Sequence, residues 1–115
     1  MRSILLLRLY LEVSTKEDAD AIVSSLIDSM KSKCSENSRI INKYWKIPEY
    51  FEAFLKLEPS GKSKDNFYDL LEIIGRDWDV YDEQEDELWA VWNYSANKQI
   101  VHPAIKWANL ELKMS

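Results

Sequence analysis

The sequence predicts an α+β domain, a mainly antiparallel sheet of about five strands with two helices packed on one face. Three observations carry that prediction. Residues 3–13 alternate with a period of two, while two later stretches place their apolar residues at three- and four-residue steps. The last third of the chain holds strand-like runs joined by short turns, and connections that short join antiparallel neighbours. At 115 residues the chain is sized for one domain, 1–115, around one core.

In the first strand Leu5, Leu7, Leu9, Leu11 and Val13 share a face. The other face runs Ile4, Leu6, Arg8, Tyr10, Glu12, apolar first and polar later. Ser14 and Glu17 stand at capping-box spacing and open a helix over about 15–34. Ala19, Ile22, Val23, Leu26, Ile27 and Met30 form its apolar stripe. Residues 35–39 are polar and read as a loop. Over 40–57 two strand segments follow with a break near Pro48, although Tyr50, Phe51, Phe54 and Leu55 also fit a helical stripe. Pro59-Ser60-Gly61 is a turn. Ser63 or Asp65 caps a second helix carrying Phe67, Leu70, Leu71 and Ile74, with Gly75 as its stop. A hairpin joins 77–82 to 87–94, and 104–113 form the last strand.

Charge is distributed unevenly. The chain carries 15 Lys+Arg and 20 Asp+Glu, a net of −5. Seven of the acids lie between Asp77 and Glu87 (Asp77, Asp79, Asp82, Glu83, Glu85, Asp86 and Glu87) with no base among them. The rest of the chain is close to neutral. Such a balance argues against general nucleic-acid binding, which needs a basic footprint. A lone Cys34 makes no internal disulfide, so a cross-linked secreted scaffold is excluded. Arg8 and Glu12 interrupt the apolar run at the start, which falls short of a signal peptide or membrane span. The expected location is the cytoplasm, with no membrane contact.

Candidate chemistry is sparse. His102 is the single histidine and precedes Pro103, with no partner that would make it a general base. Cys34 follows Lys31 and Lys33, where a thiol pKa could be lowered; a buried, idle cysteine is the plainer reading. An EF-hand register begun at Asp77 fails at position 6, which is Asp82 rather than Gly, and at position 12, which is Leu88 rather than Glu. Gly61 and Gly75 build no phosphate loop. The expectation is therefore no enzyme, no catalytic residue, no metal and no cofactor.

Five tryptophans remain, three of them in or beside the acidic hairpin: Trp78, Trp89 and Trp92. Along 87–94 one tryptophan falls on each face. Large aromatics fill a small core efficiently. Alternatively, Trp89 or Trp78 stands on the helix-free face, where an aromatic among acids has the character of an interface hot spot. A charged hairpin is commonly just a solvated loop. Yet seven acids within about a Debye length (roughly 8–10 Å) repel one another, and a basic partner surface would relieve that repulsion.

The helix ending Leu70-Leu71-Glu72-Ile73-Ile74-Gly75, then Asp77-Trp78-Asp79 and Leu88-Trp89-Ala90-Val91-Trp92-Asn93, carry a resemblance completed by Val101-His102-Pro103-Ala104-Ile105-Lys106-Trp107-Ala108. Over about 65–112 the chain resembles the small acidic immunity proteins of bacterial contact-dependent growth inhibition and related polymorphic toxin systems. The resemblance implies a non-catalytic cytosolic inhibitor that binds a cognate toxin C-terminal domain, often a cationic nuclease, usually one-to-one. It transfers no contact residue. From charge and aromatic placement alone, the expected partner-binding residues are Asp77, Asp79, Tyr81, Asp82, Glu83, Glu85, Asp86, Glu87 and Trp89. The other reading is a non-catalytic regulatory or adaptor domain that binds a peptide or an endogenous protein, for example by adding a strand to a sheet edge.

Overall fold

The computed structural model describes residues 3–84, 86–94 and 99–114. Eight elements follow one another: β1 (Ser3–Glu12), α1 (Lys16–Met30), β2 (Cys34–Lys43), β3 (Tyr50–Pro59), α2 (Ser63–Ile74), β4 (Asp79–Tyr81), β5 (Glu87–Asn93) and β6 (Ile105–Met114). The strands form one sheet in the order β2-β3-β1-β6-β5-β4. Every neighbouring pair is antiparallel. The α+β architecture is as expected, with six strands rather than about five.

β1 is central because its composition suits no other place. Leu5, Leu7, Leu9 and Leu11 are fully buried, and together with Ala53, Leu55 and Leu57 of β3 and Ala108, Leu110 and Leu112 of β6 they floor the core. Burying one such leucine is worth about 1.5–3 kcal/mol, so this face fixes β1 in register. The helices cover that face with Ala19, Val23, Leu26 and Met30 from α1 and Phe67, Leu70, Leu71 and Ile74 from α2. A bulge between Tyr10 and Leu11 shifts the pairing with β6 so that Tyr10 faces Trp107 and Leu11 faces Ile105.

Four local expectations need correction. Residues 35–39 are not a loop; they belong to β2, paired with β3 from Cys34 through Lys43 around a bulge between Glu36 and Ser38. The alternation is hidden because β2 is an edge strand, and the bulge breaks its period. Helix α1 accordingly stops at Met30, four residues early. Its cap is Thr15 rather than Ser14: extended at φ −134°, Thr15 accepts a hydrogen bond from Asp18 N at 3.1 Å. Lys62, not Ser63 or Asp65, occupies the N-cap of α2, and Ser63 Oγ instead donates to Ser3 Oγ at 2.8 Å. Residues 49–57, open between helix and strand, lie in strand β3 from Tyr50 onward.

The C-terminus of α2 is closed by tryptophans. Leu71 O accepts from Gly75 N at 2.9 Å and from Trp78 Nε1 at 3.0 Å. Trp92, fully buried on β5, donates Nε1–H to Arg76 O at 2.9 Å. Leu71 O thereby gains a second donor, the carbonyl of Arg76 just past the helix end is satisfied, and the start of the acidic hairpin is anchored to the core. Asp77 turns the chain there with φ 66°, a left-handed conformation that Asp tolerates better than most residues.

Candidate functional site

Both helices lie on one face, so the opposite face of the sheet is open. Cross-strand register lays its side chains out in rows. One row reads Tyr81, Trp89, Glu111, Leu6, Lys56, Ser38 from β4 to β2. The next reads Asp79, Val91, Asn109, Arg8, Phe54, Ile40. A third, without β4, reads Asn93, Trp107, Tyr10, Glu52, Asn42.

Of the two tryptophans considered for this face, Trp89 stands on it and Trp78 does not. Tyr81 stacks on Trp89 with ring centroids 5.5 Å apart and planes 17° from parallel. Offset stacking of this kind adds about 0.5–1.5 kcal/mol beyond area burial. Tyr81 remains 44% exposed, so the stacked pair presents aromatic surface to solvent. Trp78 is half-buried against α2 through its bond to Leu71.

The expected acids do not converge on one spot. Asp79 and Glu87 share the open face with Tyr81 and Trp89, as the alternation and register require. Asp82 reaches the helix side, 3.4 Å from Tyr68 Oη. That proximity and burial together raise the Tyr68 pKa, burial being the larger cause. Asp77 sits in the α2–β4 turn, and Glu83 and Asp86 are exposed at the hairpin end. Glu85 lies outside the described residues. Lys113 stands beside Glu87 in the β5–β6 register and pairs with Glu111 at 3.6 Å, so the open-face acids are partly compensated. The edge of the hairpin carries the remaining negative charge.

A larger aromatic cluster escaped the sequence reading. Tyr10 is stacked between Tyr44, at 4.3 Å, and Trp107, at 4.7 Å, and Trp45 tilts against Tyr44 at 6.5 Å. Burial, then hydrogen bonding with Tyr44, pushes the Tyr10 hydroxyl pKa up. Trp45 is 81% exposed, with Lys46 Nζ 5.1 Å from its ring centre. The sequence signal was present in Tyr10, which falls on the polar face of β1. What it lacked was the strand order that brings Trp107 beside it.

His102 Nδ1 accepts from Ala104 N at 3.0 Å, closing the turn that enters β6. Cys34 is buried, with Sγ 3.7 Å from Met30 O, and burial pushes its pKa up to about 11. A lowered thiol pKa is therefore wrong: desolvation disfavours the thiolate. Among the described residues no group of His, Cys, Asp and Glu is arranged to hold a metal, and no helix is long and apolar enough to cross a membrane. A hollow of about 460 Å³ at the base of the hairpin is lined by Leu71, Glu72, Gly75, Arg76, Asp77 and Trp78.

No family model, curated protein or solved structure matches this chain.

Proposed function

We propose that this protein is a cytosolic immunity protein that binds a cognate bacterial toxin domain one-to-one and neutralises it without catalysis. The observation that carries the reading is the junction of the Tyr81–Trp89 stack, with its exposed Tyr81, and the acidic β4–β5 hairpin on one end of the sheet. The aromatic pair supplies rigid contact area, and the acids supply a field for a basic surface. A nuclease-type toxin needs a positive cleft to hold phosphates, so carboxylates presented there compete for the same field and accelerate encounter.

A toxin reading frame should end immediately upstream of this gene, and co-expression with its C-terminal domain should restore growth to cells which that domain arrests. Binding should weaken as salt rises, chiefly through the association rate. The triple change Asp82→Lys, Glu85→Lys and Asp86→Lys should slow association by about tenfold or more at low salt. Unchanged affinity and unchanged salt dependence would remove the hairpin from the interface.

A further inference from the structure

We infer that the free edge of β2 is a self-association surface, on which a second copy of this chain pairs β2 against β2, antiparallel, about a two-fold axis at Ile40. This inference does not rest on the toxin-binding reading. An edge strand offers unpaired N–H and C=O groups to another strand unless charges, prolines or shortness guard it. The two edges of this sheet differ sharply in that respect. β4 is three residues long, begins with Asp79 and is flanked by Asp77 and Asp82. β2 is ten residues long and contains no proline.

Beyond its bulge, Ser38–Asn42 forms an uninterrupted run whose one charge is Arg39. That charge is taken up inside the chain. Its guanidinium bonds Glu36 through Nε at 2.6 Å and Nη2 at 3.0 Å, and Asp20 Oδ1 through Nη1 at 2.8 Å. Ile40, meanwhile, is 56% exposed on the open face. Over Ser38–Asn42 the edge thus combines free backbone, an apolar side chain and a charge already paired, with the unpaired Lys43 only at its end.

Symmetry selects the register. In a continuous sheet with a perpendicular two-fold axis, residues facing each other share a face, so the axis passes through a residue position. Centred on Ile41, the pairing sets Lys43 opposite Arg39 of the second copy; centred on Arg39, it sets arginine against arginine. Centred on Ile40, it sets Ile40 against its own equivalent, Arg39 against Ile41, and Ser38 against Asn42. No like charges meet. Each sheet spans five strand spacings of about 4.8 Å, which separates the acidic hairpins by roughly 50 Å, several Debye lengths. Self-repulsion is therefore smallest at this edge, and both hairpins stay free.

Sedimentation velocity on the full chain tests it. Mass should rise from 13.6 kDa toward twice that value with concentration, in the range of roughly 1–200 µM expected for a short strand interface. Ile40→Lys, at an exposed position, should weaken the dimer about tenfold or more, while Ile40→Val retains it. In a Cys34→Ala background, Ile40→Cys should form an oxidised covalent dimer. Ser38→Cys alone should not, but should cross-link to Asn42→Cys when the two are mixed. A 13.6 kDa mass throughout, a dimer indifferent to Ile40→Lys, or Ser38→Cys cross-linking alone as fast as Ile40→Cys overturns the proposal. So does a dimer abolished by Asp82→Lys, which would place the contact at the other edge.

Discussion

Tyr81 stacks offset on Trp89, 5.5 Å between ring centres, across the β4–β5 pair. The contact fastens a three-residue edge strand that has little else to hold it. Its two rings have unequal duties: Trp89 is half-buried between Tyr81 and Glu111, whereas Tyr81 is exposed. Trp89→Ala should therefore lower unfolding stability by about 2–3 kcal/mol in urea titrations. Tyr81→Ala should cost less than about 1 kcal/mol of stability yet weaken toxin binding at least tenfold, read by calorimetry. Equal effects of both changes on stability would show that the stack is purely structural.

Arg39 ties β2 to α1. It makes a two-pronged contact with Glu36 and reaches Asp20 Oδ1 and Ser24 Oγ, at 2.8 and 2.7 Å. Because Asp20 is largely exposed, most of the value lies in the Glu36 fork. Arg39→Met should cost about 1 kcal/mol, and Arg39→Lys should recover little, since an ammonium cannot supply the planar fork. Full rescue by lysine in thermal unfolding would contradict that assignment.

Gly75 is required by closeness rather than by its dihedral angles, which are extended. A Cβ there would stand 2.9 Å from the carbonyl oxygen of Gln99, where Gly75 bridges to Ile100. Gly75→Ala should destabilise by about 1–3 kcal/mol through overpacking against backbone. By contrast, a Cβ at Gly61 meets only the Asn66 amide at 3.5 Å, so Gly61→Ala should be milder in the same denaturation assay.

Cys34 gives stability a pH dependence of definite sign. Its folded pKa is raised to about 11, while the unfolded thiol ionises near its ordinary value of 9.0. Between those values the unfolded chain holds fewer protons, so stability falls as pH rises. The contribution is complete below about pH 8.5 and gone once pH passes through the folded value. Urea midpoints from pH 7.5 to 10.5 should fall more steeply for the wild type than for Cys34→Ala, by the equivalent of about 1–2 kcal/mol. Parallel curves would mean that the thiol is not buried as described.

Period-two and helical spacing were legible wherever an element had one wet and one dry side. That covers β1, both helices, the alternation of β5 and the last strand. The edge strand was not legible over 35–39, because solvent reaches it on more than one side and a bulge shifts its phase. Capping was read one residue off at α1, since Ser14 and Thr15 both carry a suitable hydroxyl and only backbone geometry separates them.

The sequence by itself determined the fold class, the leucine face of β1 and the concentration of seven acids in one hairpin, since these depend on residue order and local periodicity. Only the tertiary structure decided which faces those acids reach, that Trp89 rather than Trp78 lies on the helix-free face, and that Tyr10 meets Tyr44 and Trp107. It also decided that β2 and β4 are the edges. The physical reason is one of range. Alternation says that two side chains share a face, whereas what stands beside them follows from strand order and register, set by burial across the whole core.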